Sequence, residues 1–167
     1  MPLELNGTTG VQGNSGAFVS GTAVASTSGT SIDFTSIPSW VKRITVMFNG
    51  VSTNGSSNLQ VQVGSGSVTA TGYVGGYSRG ATAASVTTGM VVMGTPAAAS
   101  LYQGIITWNN VSGNIWVGSS NVLTNASDAA TLGGSSISLS GTLDRVRITT
   151  VNGTDAFDAG SINILYE

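Results

Sequence analysis

Cysteine and histidine are both absent from this 167-residue chain. Their absence removes thiol nucleophiles, imidazole general bases, thiolate or imidazole metal sites and any disulfide framework, so most common catalytic constellations have no parts to be built from. Charge is scarce as well. Asp, Glu, Lys and Arg make up 7% of the residues, where an average domain has about a quarter. The five basic residues, Lys42, Arg43, Arg79, Arg145 and Arg147, are too few for the electrostatic footprint of a nucleic-acid binder. No apolar run approaches the roughly 18 residues of a membrane span, which argues against membrane insertion. The opening MPLELNGTTG has neither the basic start nor the apolar middle of a secretion signal, and the expectation is a protein made and used without signal-directed export. Helical periodicity is missing too, because Gly, Ser, Thr and β-branched residues interrupt every candidate stretch.

What remains is small, polar and β-prone. The chain holds 24 Gly, 24 Ser and 21 Thr, its net charge is −2, and 40% of it is apolar. Its mean hydropathy is +0.25. Hydroxyls and amides must therefore keep it in solution, while the apolar residues, spread in short bursts, give ordered β structure rather than disorder. The length fits one domain with an arm and is enough to bury a core without staples.

The clearest strand is WVKRITVMFNG, residues 40–50. Trp40, Ile44, Val46 and Phe48 share one face, and Val41, Arg43, Thr45 and Met47 the other, so both faces carry apolar residues and the strand is expected to be central. NLQVQVG, residues 58–64, alternates, with Leu59, Val61 and Val63 inward and Gln60 and Gln62 outward and half-solvated. Asn54-Gly55 between the two is a turn signal that predicts an antiparallel pair. Further strands are expected at 67–74, 85–94, 101–108, 114–120, 136–141, 144–151 and 161–167. Short strands punctuated about every ten residues indicate an all-β, antiparallel β-sandwich, jelly-roll-like. The strand pattern at 161–167 runs to the last residue and leaves no targeting tail. VKRITVMFNGVS (41–52) and DRVRITTVNGTD (144–155) echo each other, which reads as two amphipathic strands ending in the same kind of Asn-Gly turn.

Residues 6–16, NGTTGVQGNSG, place Gly7, Gly10, Gly13 and Gly16 at every third position. That is the register of a triple helix, but three triplets without proline do not sustain one, so residues 1–16 are expected to be an extended Gly-rich arm preceding a sandwich domain of residues 17–167. Leu3, Leu5 and Val11 are apolar enough to anchor that arm on a partner. In the domain, Tyr73, Tyr77 and Arg79 sit among glycines, as in an exposed binding loop. Trp108 and Trp116 flank NNVSGN, which gives either an aromatic platform for a sugar ring with Asn110 and its neighbours as hydrogen-bonding groups, or two core or interface tryptophans at the ends of a hairpin. Asp155 and Asp158 are the one close carboxylate pair. They suit a paired-carboxylate or hard-metal site in principle, but their spacing fits no calcium loop and Asp in a Gly-flanked turn serves the turn. The glycine clusters at 64–72 and 75–80 open no helix and carry no Gly-Lys-Ser/Thr, so they read as turns and bulges rather than a phosphate cradle. No catalytic residue, cofactor or metal is expected.

LNGTTG near the start, SGTSIDFTSIPSWVKRITVMFNGVSTNGSS, and DRVRITTVNGTDAFDAGSINILYE at the end together resemble modules of tail-fibre-like and other virion-surface proteins of tailed bacteriophages and prophages. The resemblance covers about half of the chain. It implies a β-rich structural protein, a homotrimer, assembled in the host cytoplasm into the virion and in contact with other capsid or tail proteins. The chain is short and opens on Met1, which points to a capsid decoration or short appendage rather than a complete fibre. The alternative function is a carbohydrate-binding receptor-recognition module, with a host-surface glycan as partner and Tyr73, Tyr77, Arg79, Trp108, Asn110 and Trp116 as the ligand-binding loops.

Overall fold

In the computed structural model, residues 4–6, 10–12, 18–93, 96–98, 100–125 and 130–167 are described, and the whole of this content is strands, turns and irregular segments with no helix. Two strands, β1 (Glu4–Asn6) and β2 (Gly10–Gln12), pair antiparallel with each other, Leu5 opposite Val11, and with no other strand among the described residues. Both strands lie within the segment expected to be an extended arm. Leu3, Gly7, Gly13 and Gly16 lie outside the described residues, and Gly10 sits in a β ladder opposite Asn6 rather than in a triplet repeat.

The remaining strands make two antiparallel sheets packed face to face. They are β3 (Val19–Ser20), β4 (Val24–Ala25), β5 (Ser31–Thr35), β6 (Arg43–Thr53), β7 (Leu59–Ser65), β8 (Ser67–Val68), β9 (Val74–Arg79) and β10 (Thr82–Val86), followed by β11 (Met90–Met93), β12 (Tyr102–Ser112), β13 (Ile115–Thr124), β14 (Ala130–Ser138), β15 (Arg145–Thr150) and β16 (Phe157–Tyr166). The larger sheet has nine strands in the order β10-β9-β14-β13-β12-β6-β16-β3, with β4 also on β16; the smaller runs β11-β7-β15-β5, with β8 on β7. The chain changes sheet repeatedly. Even the short β11 belongs to the smaller sheet, although β10 before it and β12 after it belong to the larger.

Period-two patterning decides which faces meet. Ile44, Val46, Phe48, Ile106, Trp108, Val122, Ile162 and Ile164 of the large sheet are buried against Ile32, Phe34, Leu59, Val61, Val63, Val146 and Ile148 of the small one. β6 is central, between β12 and β16, as expected, although it begins at Arg43, so that Val41 lies outside it and Met47 is the apolar residue among its outward positions Arg43, Thr45, Met47 and Asn49. The Asn54-Gly55 turn does not make a hairpin, however: β6 and β7 lie in different sheets, and the turn carries the chain across the sandwich. Both loops at this end are tied by backbone contacts, Asn54 donating to the Ala156 carbonyl at 2.9 Å and Val151 to the Asn58 carbonyl at 2.8 Å.

The echo between 41–52 and 144–155 is one of sequence only. Asn152-Gly153 is a turn, whereas Asn49-Gly50 lies inside β6. Gly50 there has φ +62°, and it faces Gly160 of β16, φ +90°, and a register shift in β12 next to Gly104, φ +144°. A β carbon on Gly160 would collide with the backbone of Gly50. These positive-φ glycines permit irregularities on three adjacent strands, and such bulges bend a sheet locally and strengthen its twist.

Candidate functional surfaces

The residues singled out in the sequence for ligand binding separate into buried and surface groups. Trp108 is 0% exposed, Trp116 is buried beside it in the core, and Tyr73 is 1% exposed. The two tryptophans stand at the ends of a hairpin: β12 and β13 pair from Tyr102 to Ser112, and the turn is made by Gly113 at φ +50°. Their even-numbered positions place both on the inner face. Trp108 meets Tyr73 edge-on, with ring centroids 6.2 Å apart. The sugar platform is therefore not a surface feature, and the core alternative describes these two residues.

Tyr73 is a latch rather than a binding residue. Its hydroxyl accepts from the Val63 backbone N–H at 2.8 Å and donates to the Val63 carbonyl at 3.2 Å, which joins the irregular segment after β8 to the middle of β7. Burial pushes the phenol up to about 12, against a smaller lowering by the backbone of Val63. Asn110 is likewise committed to structure. Its Nδ2 donates to the carbonyls of Gly113 at 2.9 Å and Ile115 at 3.2 Å, and its Oδ1 accepts from Lys42 Nζ at 3.4 Å.

Tyr77 and Arg79 belong to a strand, β9, not to a loop as expected from the glycine cluster GGYSRG. Tyr77 is half-buried and its hydroxyl accepts from Asn58 Nδ2 at 3.4 Å. Arg79 is half-buried close to Tyr102, whose phenol is raised first by burial; hydrogen bonding to Ser100 and the Arg79 charge act in the opposite direction. A wide, open hollow of about 610 Å³ runs along β9, β10 and β14, over Gly76, Tyr77, Ala84, Leu132 and Gly134. Apart from Tyr77 and Leu132 its lining is Gly, Ala and Ser, which offer a ligand little to grip.

Asp155 serves its turn. Its Oδ2 accepts from the Ser57 N–H at 2.9 Å and its Oδ1 from Asn152 Nδ2 at 2.6 Å, while Asn152 takes Thr150 Oγ1 at 2.7 Å. Gly55 lies beneath it, and a β carbon there would displace the Asp155 carboxylate from this position. Asp158 is exposed at the start of β16. Among the described residues no group of three or more acidic side chains could hold a metal ion.

Two surfaces that the sequence did not single out emerge from strand register. The first is the outer face of the large sheet. One cross-strand row runs Asn163, Met47, Ile105, Asn121, Leu132, Ser78, Ala83 over seven strands. The next runs Leu165, Thr45, Thr107, Ser119, Gly134, Gly76, Ser85. Neither row contains a charge, and Ile105, Val117, Leu123 and Leu132 on this face are exposed. The second is the outer face of the small sheet, where Gln60 and Gln62 are buried rather than half-solvated. Alternation in β7 was visible, but what covers its polar face comes from Thr88, 26 positions from Gln62.

Compared with protein-family profiles, curated proteins and solved structures, the chain matches none.

Proposed function

We propose that the chain is a structural protein of a bacteriophage virion surface, a homotrimeric β-sandwich attached to capsid or tail through its N-terminal segment. The observation that carries this reading is the outer face of the large sheet, with its two uncharged rows over seven strands and Ile105, Val117, Leu123 and Leu132 exposed on it. Exposed apolar side chains gathered on one face mark a protein contact, and the two uncharged rows desolvate no ion when a second copy covers them, the Arg43–Glu167 pair standing beside them in the row of Val117. The sequence resemblance supplies the threefold state and the virion setting. Scaffolding also suits a molecule whose singled-out tyrosine, tryptophans, Asn110 and Asp155 are spent on internal bonds and packing.

Size-exclusion chromatography with light scattering tests the assembly: the expected mass at micromolar concentration is that of three chains, and a monomer would overturn it. Ile105→Lys combined with Leu132→Lys is expected to dissociate the trimer while leaving the β-sheet circular dichroism unchanged. Copy number in purified particles tests the setting. Hundreds of copies identify a head decoration protein and a few identify a tail appendage, whereas absence from particles overturns the virion reading.

A further inference from the structure

The smaller sheet carries polar residues on the face turned away from the core, and they are ordered as few surface polar residues are. Two cross-strand rows lie side by side: Gln62, Arg147, Asp33 and Gln60, Thr149, Ser31. Gln60 is only 2% exposed and Gln62 only 6%. A hollow of about 260 Å³ opens above them, walled by Thr30 and by Val151, Asn152 and Gly153.

The hydrogen bonds fix what this hollow offers. Thr88 clamps both glutamines, in opposite senses: its hydroxyl donates to Gln60 Oε1 at 2.9 Å, and its carbonyl accepts from Gln62 Nε2 at 2.8 Å. Gly89 leaves room for the clamp, since a β carbon there would stand 2.8 Å from Gln60 Oε1. With those bonds made, Gln60 keeps its amide hydrogens and Gln62 its carbonyl oxygen, a donor beside an acceptor two residues along one strand. Thr149 Oγ1 donates to the Thr30 carbonyl at 2.8 Å and retains lone pairs to accept. Arg147 meets Asp33 through two bonds, each 2.7 Å. The pair is neutral as a unit, yet Arg147 has further N–H groups.

We propose that this hollow binds a neutral sugar residue. Adjacent hydroxyls on a pyranose ring each donate and accept, and alternating fixed donors and acceptors match them. A carboxylate or phosphate needs an uncommitted cation, but the Arg147 charge is already matched by Asp33; an ammonium group finds no uncommitted carboxylate. An apolar ligand finds Val151 as the one apolar side chain lining the hollow. The clamped amides lose little rotamer freedom on binding, which lowers the entropic cost. The site shares no residue with the aromatic positions expected from the sequence, and it stands independently of the trimer and of the virion setting.

Full-length ¹⁵N-labelled protein, titrated with neutral hexoses, 6-deoxyhexoses and N-acetylhexosamines and with uronic and sialic acids, tests the assignment. The expected result is saturable movement of the Gln60 and Gln62 side-chain amide signals and of the Thr149–Gly153 backbone, for at least one neutral sugar, with Kd on the order of 1 mM. Gln60→Met is expected to weaken binding roughly tenfold. Because Gln60 is buried, Val151→Tyr, at an exposed position on the rim, provides a second variant that obstructs the hollow with the spectrum otherwise intact. No saturable movement with any neutral sugar overturns the proposal, as do preference for the acidic sugars, movement confined to β9 and β10, or affinity unchanged in Val151→Tyr.

Discussion

Tyr73 shows how much of this chain's polarity faces inward. Its phenol titrates near 12 in the folded protein, against 10.0 ordinarily, so the folded state holds its proton longer than the unfolded state. Its contribution is therefore complete below pH 10 and lost as pH rises from 10 towards 12, a loss of about 2–3 kcal/mol for such a shift. Denaturant midpoints measured across that interval are expected to fall. Tyr73→Phe is expected to flatten part of the fall, and to cost about 1–3 kcal/mol at neutral pH by leaving the buried Val63 groups without the hydroxyl. Gly118 is a second sensitive position. A β carbon there would lie 2.8 Å from Met90 Cε and 3.0 Å from Trp108 Cδ2, so Gly118→Ala is expected to destabilise by about 1–3 kcal/mol through overpacking. Shortening Met90 to Ala in the same chain is expected to recover part of that loss, a non-additivity that a double-mutant cycle on denaturant midpoints measures.

Among the elements, the strands with strict alternation were legible and their partners were not. The patterns at 144–151 and 161–167 correspond to β15 and β16, and 101–108 and 114–120 to β12 and β13 with its Gly113 turn. Failures have physical causes. The stretch 67–74 is two strand ends joined by an irregular segment held by the Tyr73 latch, a contact of ten residues' separation that no local pattern announces. GGYSR pairs as a strand because small residues suffice where β10 and β14 supply the ladder on both sides. Asn-Gly at 49–50 signals a turn locally, and the flanking ladders on β12 and β16 override it into a bulge. The tryptophans could be placed on one face but not assigned to core or surface, since the sheet that covers them comes from distant residues. Loops follow the same logic: the clasp around Asp155 joins the β6–β7 and β15–β16 crossings. Asp155→Ala is expected to cost about 1–3 kcal/mol and to raise hydrogen exchange of the Ser57 amide selectively.

For the molecule as a whole, scarcity of charge sets the response to solution conditions. With no histidine or cysteine, no side chain has its ordinary pKa between about pH 5 and 9, and the thermal midpoint is expected to be nearly level across that range. On the acid side, Arg145 beside Asp144 holds that carboxyl below its ordinary 3.8. The folded carboxyl therefore binds its proton less readily than the unfolded one, so its stabilising effect is whole above that value and fades as pH falls further. Thermal scans at pH 3 and 6 check the direction. The exposed ion pairs, Arg147 with Asp33 and Arg43 with Glu167, are worth little in water, and raising salt is expected to shift the midpoint only slightly.

The last strand has a consequence for how the sandwich forms. β16 is not an edge addition: it lies between β6 and the β3 and β4 pieces, and Asn54 and Ala156, bonded at the loops beside it, stand 102 positions apart in sequence. Local hairpins such as β12–β13 are ready to form early, but closing the great ring from β6 to β16 must wait on a slow search through chain conformations. That search sets the barrier to folding, and the ladders it closes on both sides of β16 must be broken again before the sheet can open. A chain assembled this way reaches its final shape in no hurry, and surrenders it on a slower clock still.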